Sequence, residues 1–395
     1  MERLIGTVSI GIRAPIIMQG DDIVQIVCDS VLKACEQANI DLNDRDIVAL
    51  TESIVARAQG NYVTVDMIAK DIQEKFNSPN ALGVVFPILS RNRFAPCLKG
   101  IARAVKKIYL MLSYPSDEVG NHIADIDILD ERGINPYTDV LTEQDYRQIF
   151  GSHKHPFTGI DYIEYYKDII ESQGSQPEII LANDPREILK YVKDVLSCDI
   201  HSRHRTKRIL EKNGANIVKG MFEIMNKPNE DGGYNERYGL LGCNKATEEK
   251  IKLFPRDCFA IVENIQKEFK KRTGKDIEVM IYGDGAFKDP VGKIWELADP
   301  VVSPGYTKGL EGRPNEIKLK YLADNNFSDL KGENLKQAVS EYIRNKKETL
   351  NDDAQGTTPR RLTDLLGSLS DLTSGSGDKG TPIVLIQNYF DNFSN

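Results

Sequence analysis

Short apolar runs alternate with polar turns over the first sixty positions. LIGTVSIGI alternates with the period of a strand, and GDDIVQIVCDSVLKACEQA repeats its apolar positions at helical spacing. Asp21 and Asp22 open that helix, where negative charge complements the macrodipole, so they read as caps rather than ligands. Asp46–Leu50 reads as a short buried strand that runs into Thr51, Glu52 and a small-residue stretch closed by Gly60. Thr51 suits a helix N-cap through its hydroxyl, and Gly60 suits the left-handed residue that ends a helix. A strand emptying directly into a capped helix puts backbone N–H donors at the sheet edge, a natural place for an anion. The plain alternative is an ordinary strand–helix connection.

From about Val65 to Tyr234 the character changes. ALGVVFPIL and KKIYLMLSYPS read as strands around the helix FAPCLKGIARAVKK, and SDEVGNHIADIDILDERGINPYTDV reads as polar turns. IDYIEYYKDIIESQG and PREILKYVKDVLS read as helices around the strand PEIILAND. From about Tyr238 the rhythm resumes with RYGLLGC, the helix DCFAIVENIQKEFKKRTG and the strand DIEVMIYGDG. Lys318 to Leu350 predicts charged helix, RRLTDLLGSLSDLTSGSGDKG a helix running into a Gly/Ser loop, and TPIVLIQNY a closing strand. A terminal strand that apolar needs a place in a sheet, and it is expected to pair beside DIVAL.

Composition narrows the class. A chain of 395 residues suits two or three domains, and 40% hydrophobic with 28% charged residues is ordinary for a globular protein. A net charge of −8 argues against binding nucleic acid or an anionic membrane through overall charge. No apolar run approaches a membrane span, and the start lacks the apolar core of a signal peptide. Six scattered cysteines without a C-x-x-C pair fit reduced thiols, and with the rest they predict a cytoplasmic enzyme.

Four stretches carry candidate chemistry. VMIYGDGAFKDPVGKIW is a strand ending at Gly283, Asp284 and Gly285; ligands gather at such strand ends, and Asp-Gly is equally a common turn. GLLGCNKATEEK offers Asn244, Glu248 and Glu249, the glutamates reading most simply as a first helical turn. TSGSGDKGTP brings Gly375, Ser376 and Gly377 together, in a spacing that fits neither the P-loop nor the dinucleotide fingerprint. CDIHSRHRTKR concentrates Arg203 and Arg205 among other basic groups, either as a site for an anionic substrate or as a solvated helix start.

PIIMQGDDIVQIV followed by DIVALTESIVARAQG resembles the opening of the coenzyme F420-0:L-glutamate (γ-glutamyl) ligase family. Thr51, Ile54, Val55, Ala58 and Gly60 match its Thr-x-x-Ile-Val-x-Lys-Ala-x-Gly stretch, with Arg57 in place of the lysine. YGLLGCNKATEE resembles the family's Gly-Leu-x-x-Ala-Asn-Ala-Gly-Ile-Asp segment, with Asn244 on its asparagine and Glu248 on its metal-binding aspartate. Asp284 falls on the aspartate of the family's Ser-Asp-Thr, Gly285 replaces the threonine, and Ser376 stands where a closing glutamine is usual. The resemblance covers roughly the first 65 residues and the last 160.

The resemblance implies an α/β fold of mixed α+β character, with two domains, mixed sheets and flanking helices. Residues 1–65 and 235–395 would form the ligase-like core, and 66–234 a divergent middle with its own strands and helices. It implies a homodimer that uses GTP, or ATP, with Mg2+ or Mn2+ to join L-glutamate to a carboxylate of a small-molecule acceptor. F420-0 or a folate-like cofactor would be that acceptor, activated as an acyl phosphate. Glu248 and Asp284 are the implied metal ligands; Arg57 joins them in catalysis. Thr51, Glu52, Asn244, Gly283, Gly285, Gly375, Ser376, Gly377, Arg203 and Arg205 would contact nucleotide or substrate. The alternatives are a nucleotide- and metal-binding regulatory protein that kept the fold but lost ligation, and a scaffold acting through the middle region.

Overall fold

The computed structural model describes residues 4–229, 232–283, 303–346, 361–374 and 377–394, together with position 354 and the strand pair 287–288 and 295–296. The chain opens with β1 (Val8–Ile12), α1 (Ile23–Ala38), β2 (Ile47–Thr51), α2 (Glu52–Gln59), β3 (Tyr62–Thr64) and α3 (Val65–Lys75). The middle region runs through β4 (Ala81–Val85), α4 (Phe94–Ala104), β5 (Lys107–Leu112), α5 (Ile126–Arg132), β6 (Leu141–Thr142) and α6 (Glu143–Phe150). It continues with α7 (Tyr162–Ser172), β7 (Gln176–Leu181), β8 (Asp194–Ser197), α8 (Arg203–Lys212) and β9 (Ile217–Gly220). Next come β10 (Asn244–Lys245), β11 (Lys250–Lys252), α9 (Cys258–Thr273), β12 (Glu278–Tyr282), β13 (Phe287–Lys288), β14 (Trp295–Glu296) and β15 (Gly305–Tyr306). The chain then forms α10 (Leu319–Tyr321), α11 (Gly332–Asn345), α12 (Leu362–Thr373) and β16 (Ile383–Gln387).

Two large sheets result. The first, in the order β1-β16-β2-β12-β15, is mixed. Its terminal strand β16 pairs antiparallel with β2, Ile383 opposite Leu50, as its apolar sequence requires. Every residue from Ile47 to Leu50 is buried because successive side chains enter opposite layers. Val48 and Leu50 pack under α1 and α9 with Val27 and Ile265, whereas Ile47 and Ala49 meet Leu362 and Leu366 of α12.

The second sheet, β6-β7-β5-β4-β8-β9, is built entirely from the middle region. All its pairings are parallel except the edge pair β6–β7. The chain moves outward from β4 to β5 and β7, then crosses back to β8 and β9, which is a doubly wound order with its switch point between β4 and β8. Leu98 and Ile101 of α4 and Tyr166 and Ile170 of α7 cover one face, and Ile188 and Leu210 cover the other.

Three expectations fail locally. PREILKYVKDVLS is not a helix: Pro185–Lys190 makes a 3-10 turn capped by Asp184, and Asp194–Ser197 becomes β8. Val195 and Leu196 are fully buried between β4 and β9, so sheet packing overrides their helical spacing. Glu248 and Glu249 do not start a helix either; they sit in the turn of the β10–β11 hairpin, where Ala246 and Thr247 both donate to the Lys250 carbonyl at 2.9 Å. The polar stretch after β5 contains α5 and a buried turn around Asp117.

Candidate functional site

The parallel pair β2–β12 aligns Thr51 with Tyr282, so Glu52 and Gly283 leave the first sheet side by side. Thr51 occupies the N-cap of α2 and Gly60 the left-handed C-cap at φ 63°. The Thr51 hydroxyl makes no cap hydrogen bond, which corrects the expected capping role, and its backbone N–H donates to the Pro382 carbonyl at 3.0 Å. β16 begins at this same end, and Gly377, in the loop before it, takes φ 75°.

A buried ion pair anchors the corner. Lys252 Nζ donates to both carboxylate oxygens of Glu52 at 2.6 Å, with the side chains only 8% and 10% exposed. β11 delivers Lys252 by pairing with β3, and Asn244 lies opposite Lys252 in the hairpin. One ion pair therefore ties the start of α2, at Glu52, to the hairpin strand in which Lys252 pairs with Asn244. Sequence reasoning passed over Lys252. The sequence alone does not single it out, since Glu248, Glu249 and Lys250 precede it; its burial between Ile251 and Leu253 is what requires a carboxylate.

The C-terminal end of α2 is tied to the segment before α9. Gln59 and Arg256 exchange two hydrogen bonds, Nε2 to the Arg256 carbonyl at 2.6 Å and Oε1 from its N–H at 2.8 Å. Buried Asn61 donates to the carbonyls of Phe254 at 2.6 Å and Tyr234 at 3.1 Å. Asp257 then takes φ 54°, a strained value for a residue with a side chain, at the head of α9. Cys258 follows, its thiol pushed up to about 12 by burial and, secondarily, by the Glu52 charge. Gly305 fits against it because a Cβ there would lie 2.6 Å from the Cys258 backbone carbon.

Other expected site residues lie elsewhere. Arg57, at the far end of α2, donates through Nε to the Ile17 carbonyl at 2.9 Å. Glu248 is exposed, and the ammonium of Lys245 holds its carboxyl below the usual range. Arg203 bonds the Ile200 carbonyl and stands over the Phe222 ring, and Arg205 lines a separate hollow beside β7, so the second sheet holds both. Asp284, Gly285, Gly375 and Ser376 fall outside the described residues.

No three His, Cys, Asp or Glu side chains converge as a metal-holding group among the described residues. Glu52 spends both oxygens on Lys252, and Glu248 sits on the hairpin tip. The described side chains of the corner alone do not fit a divalent ion. The carboxylate that would change this is Asp284, which follows Gly283 directly.

At the carboxyl edge of the second sheet the switch point is filled by the chain itself. Buried Asp117 accepts from the N–H groups of Leu89, Val119 and Asn121 at 2.8–3.1 Å and from Asn121 Nδ2 at 2.8 Å. Glu118 reaches across to the N–H groups of Ile200 and His201. Burial, with a smaller contribution from Asp199, raises its carboxyl to about 7. The loop after β4 also touches the first site's hairpin: Lys245 N–H donates to the Asn92 carbonyl at 2.7 Å, and the Cys97 and Cys243 sulfurs stand 3.3 Å apart.

Mixed sheets flanked by helices make this an α+β protein, with a polar corner where parallel strands meet a helix N-terminus. The family model for F420-0:gamma-glutamyl ligase matches residues 11–388, and the chain belongs to that family. It is accordingly a ligase, and membership supports glutamate and a small molecule as its substrates. The match runs through the middle region, which the sequence motifs alone left unaligned. No curated protein matches the chain. Among the described residues no helix is long and apolar enough to cross a membrane.

Proposed function

We propose that the β2–β12 corner joins L-glutamate to a carboxylate of a small-molecule acceptor, F420-0 or a folate-like cofactor, at the expense of GTP or ATP. The observation that carries this reading is the buried Lys252–Glu52 pair at the N-terminus of α2, where the strand pair β2–β12 sets Thr51 level with Tyr282. In the reaction, an acceptor carboxylate oxygen attacks the γ-phosphorus and the nucleoside diphosphate leaves, giving an acyl phosphate. The amine of glutamate then attacks the acyl carbon, phosphate departs and the nitrogen loses a proton.

The N–H groups of α2 offer the incoming phosphate an anion site, and Gly283 and Gly285 let it approach the backbone closely. Lys252 fixes Glu52 at that helix start, and Asn244 presents an amide to orient substrate. Arg57 steadies the loop before α1, while Gly375, Ser376 and Gly377 border the phosphate. Mg2+ or Mn2+ would neutralise phosphate charge, with Asp284 as its proposed protein ligand. Buried free cysteines support a reducing cytoplasm, and exposed Leu4, Ile5 and Ile16 near the edge strand β1 support a homodimer.

Phosphate release from GTP and from ATP, measured with and without acceptor, L-glutamate and magnesium, tests this reading. Release that requires metal, acceptor and glutamate together is expected. Nucleotide binding with no release under any combination would replace ligation with a regulatory role.

A further inference from the structure

The second sheet holds a feature that ligation at the first does not use. Where β7 ends, a cavity of about 420 Å3 opens between the 3-10 turn and α8. That size suits a small molecule. Its walls include Tyr137, Asn183, Asp184, Arg186, Arg205 and Asn213.

Charge within it is unbalanced. Arg186 satisfies Asp184, its Nε reaching both carboxylate oxygens at 2.9 Å, and Asp184 also accepts the Arg186 N–H at 2.9 Å. The guanidinium holds that carboxyl below its usual range. Arg205 forms no ion pair and no side-chain hydrogen bond among the described residues. Two guanidinium groups thus face one carboxylate, Arg205 acting on Asp184 only through its charge from the first turn of α8, where the helix dipole adds positive potential.

One lining residue is aromatic: Tyr137, which is 87% exposed. Its loop is not loose: Asn183 Nδ2 donates to the carbonyls of Tyr114 at 2.5 Å and Pro136 at 3.1 Å, and the Tyr137 N–H donates to Asn135 Oδ1 at 3.0 Å. An exposed ring on a backbone held by hydrogen bonds lines the same hollow as a guanidinium that makes no hydrogen bond of its own among the described residues. Both stand at the carboxyl edge of a doubly wound sheet, where ligands bind in open α/β folds.

We propose that this cavity is a second small-molecule site, taking a planar ring that carries a phosphate or carboxylate: Arg205 grips the anion and Tyr137 stacks on the ring. The proposal is independent of ligation, since the cavity shares no residue with the strand-end corner.

Isothermal titration of the full chain with phenyl phosphate, benzoate and inorganic phosphate tests it. Phenyl phosphate or benzoate should bind at a single site, the stronger of the two revealing the anion preferred. Arg205→Gln should weaken that binding about tenfold or more, and Arg205→Lys should restore part of it. Tyr137→Ala should weaken the aromatic probes while leaving inorganic phosphate unchanged. Both positions are exposed, so matched melting curves serve as the folding control. No binding of either aromatic anion at millimolar concentration, or equal affinity in Arg205→Gln, would overturn the proposal. So would binding that survives Arg205→Gln but falls in Asp284→Asn, because that places the probe at the ligase corner.

Discussion

The two sheets use their strand ends in opposite ways. In the first, β2 and β12 come from distant parts of the chain, and their ends meet around a Lys252–Glu52 pair with Gly283 alongside. In the second, neighbouring strands come from one continuous stretch, and its switch point is occupied by Asp117, Glu118 and the loop after β8. The order of strands alone would nominate the second sheet as the site. What fills the strand ends decides otherwise: one sheet holds a fixed charge beside space-giving glycine, while the other closes on its own carboxylates and leaves room only to the side, beside Arg205. Architecture offers a location, and side chains determine whether it is open.

Removing Lys252 should have the largest effect on this contrast. Lys252→Met removes the ammonium that both oxygens of the buried Glu52 carboxylate accept from, a loss of about 3–5 kcal/mol in urea unfolding. The Glu52→Leu, Lys252→Met double variant should recover most of that stability yet remain without ligase activity. A single variant within about 1 kcal/mol of the parent would mean that the corner is wet and the contrast with the second sheet false.

The filled switch point predicts a pH signature next in size. Glu118 has its folded value raised from 4.5 to about 7, so between those values the native state keeps a proton that the unfolded chain has lost. Stability should therefore fall as pH rises through that window, by on the order of 3 kcal/mol, and stay lower above it. Glu118→Gln should flatten this slope in denaturation curves taken from about one pH unit below that window to about one above it. An unchanged slope in the variant would show that the crevice is not closed by this carboxyl.

The smallest effect separates two helix starts within the first sheet. Asp22 Oδ1 accepts from the N–H groups of Val24 at 3.0 Å and Gln25 at 3.1 Å, so Asp22→Ala should cost about 1 kcal/mol. Thr51 makes no such bond, so Thr51→Ala should stay within about 0.5 kcal/mol in stability while lowering turnover. Equal losses of stability would make Thr51 a plain cap.

Much of the first sheet was legible because its apolar runs have a single use. TPIVLIQ has no polar face and could only be a covered strand, and Gly60 could only end a helix. Asp22 likewise announced its cap. The second sheet was less legible, since Val192, Val195 and Leu196 keep helical spacing and only the neighbours β4 and β9 decide their state. Glu248 shows the limit of motif matching. An acid on a family position need not face the site, and here the hairpin turns it outward onto Lys245. Lys252 belonged to no motif; its meaning came from Glu52, two hundred positions away.

The most direct test is mass spectrometry of candidate acceptors, F420-0 and folates among them, incubated with L-glutamate, GTP or ATP, and magnesium or manganese. A glutamate adduct should form with the parent protein when nucleotide and metal are both present, and should disappear with Asp284→Asn, whose fold remains intact. An adduct formed at full rate by Asp284→Asn, or by the parent without nucleotide, would contradict ligation at the β2–β12 corner.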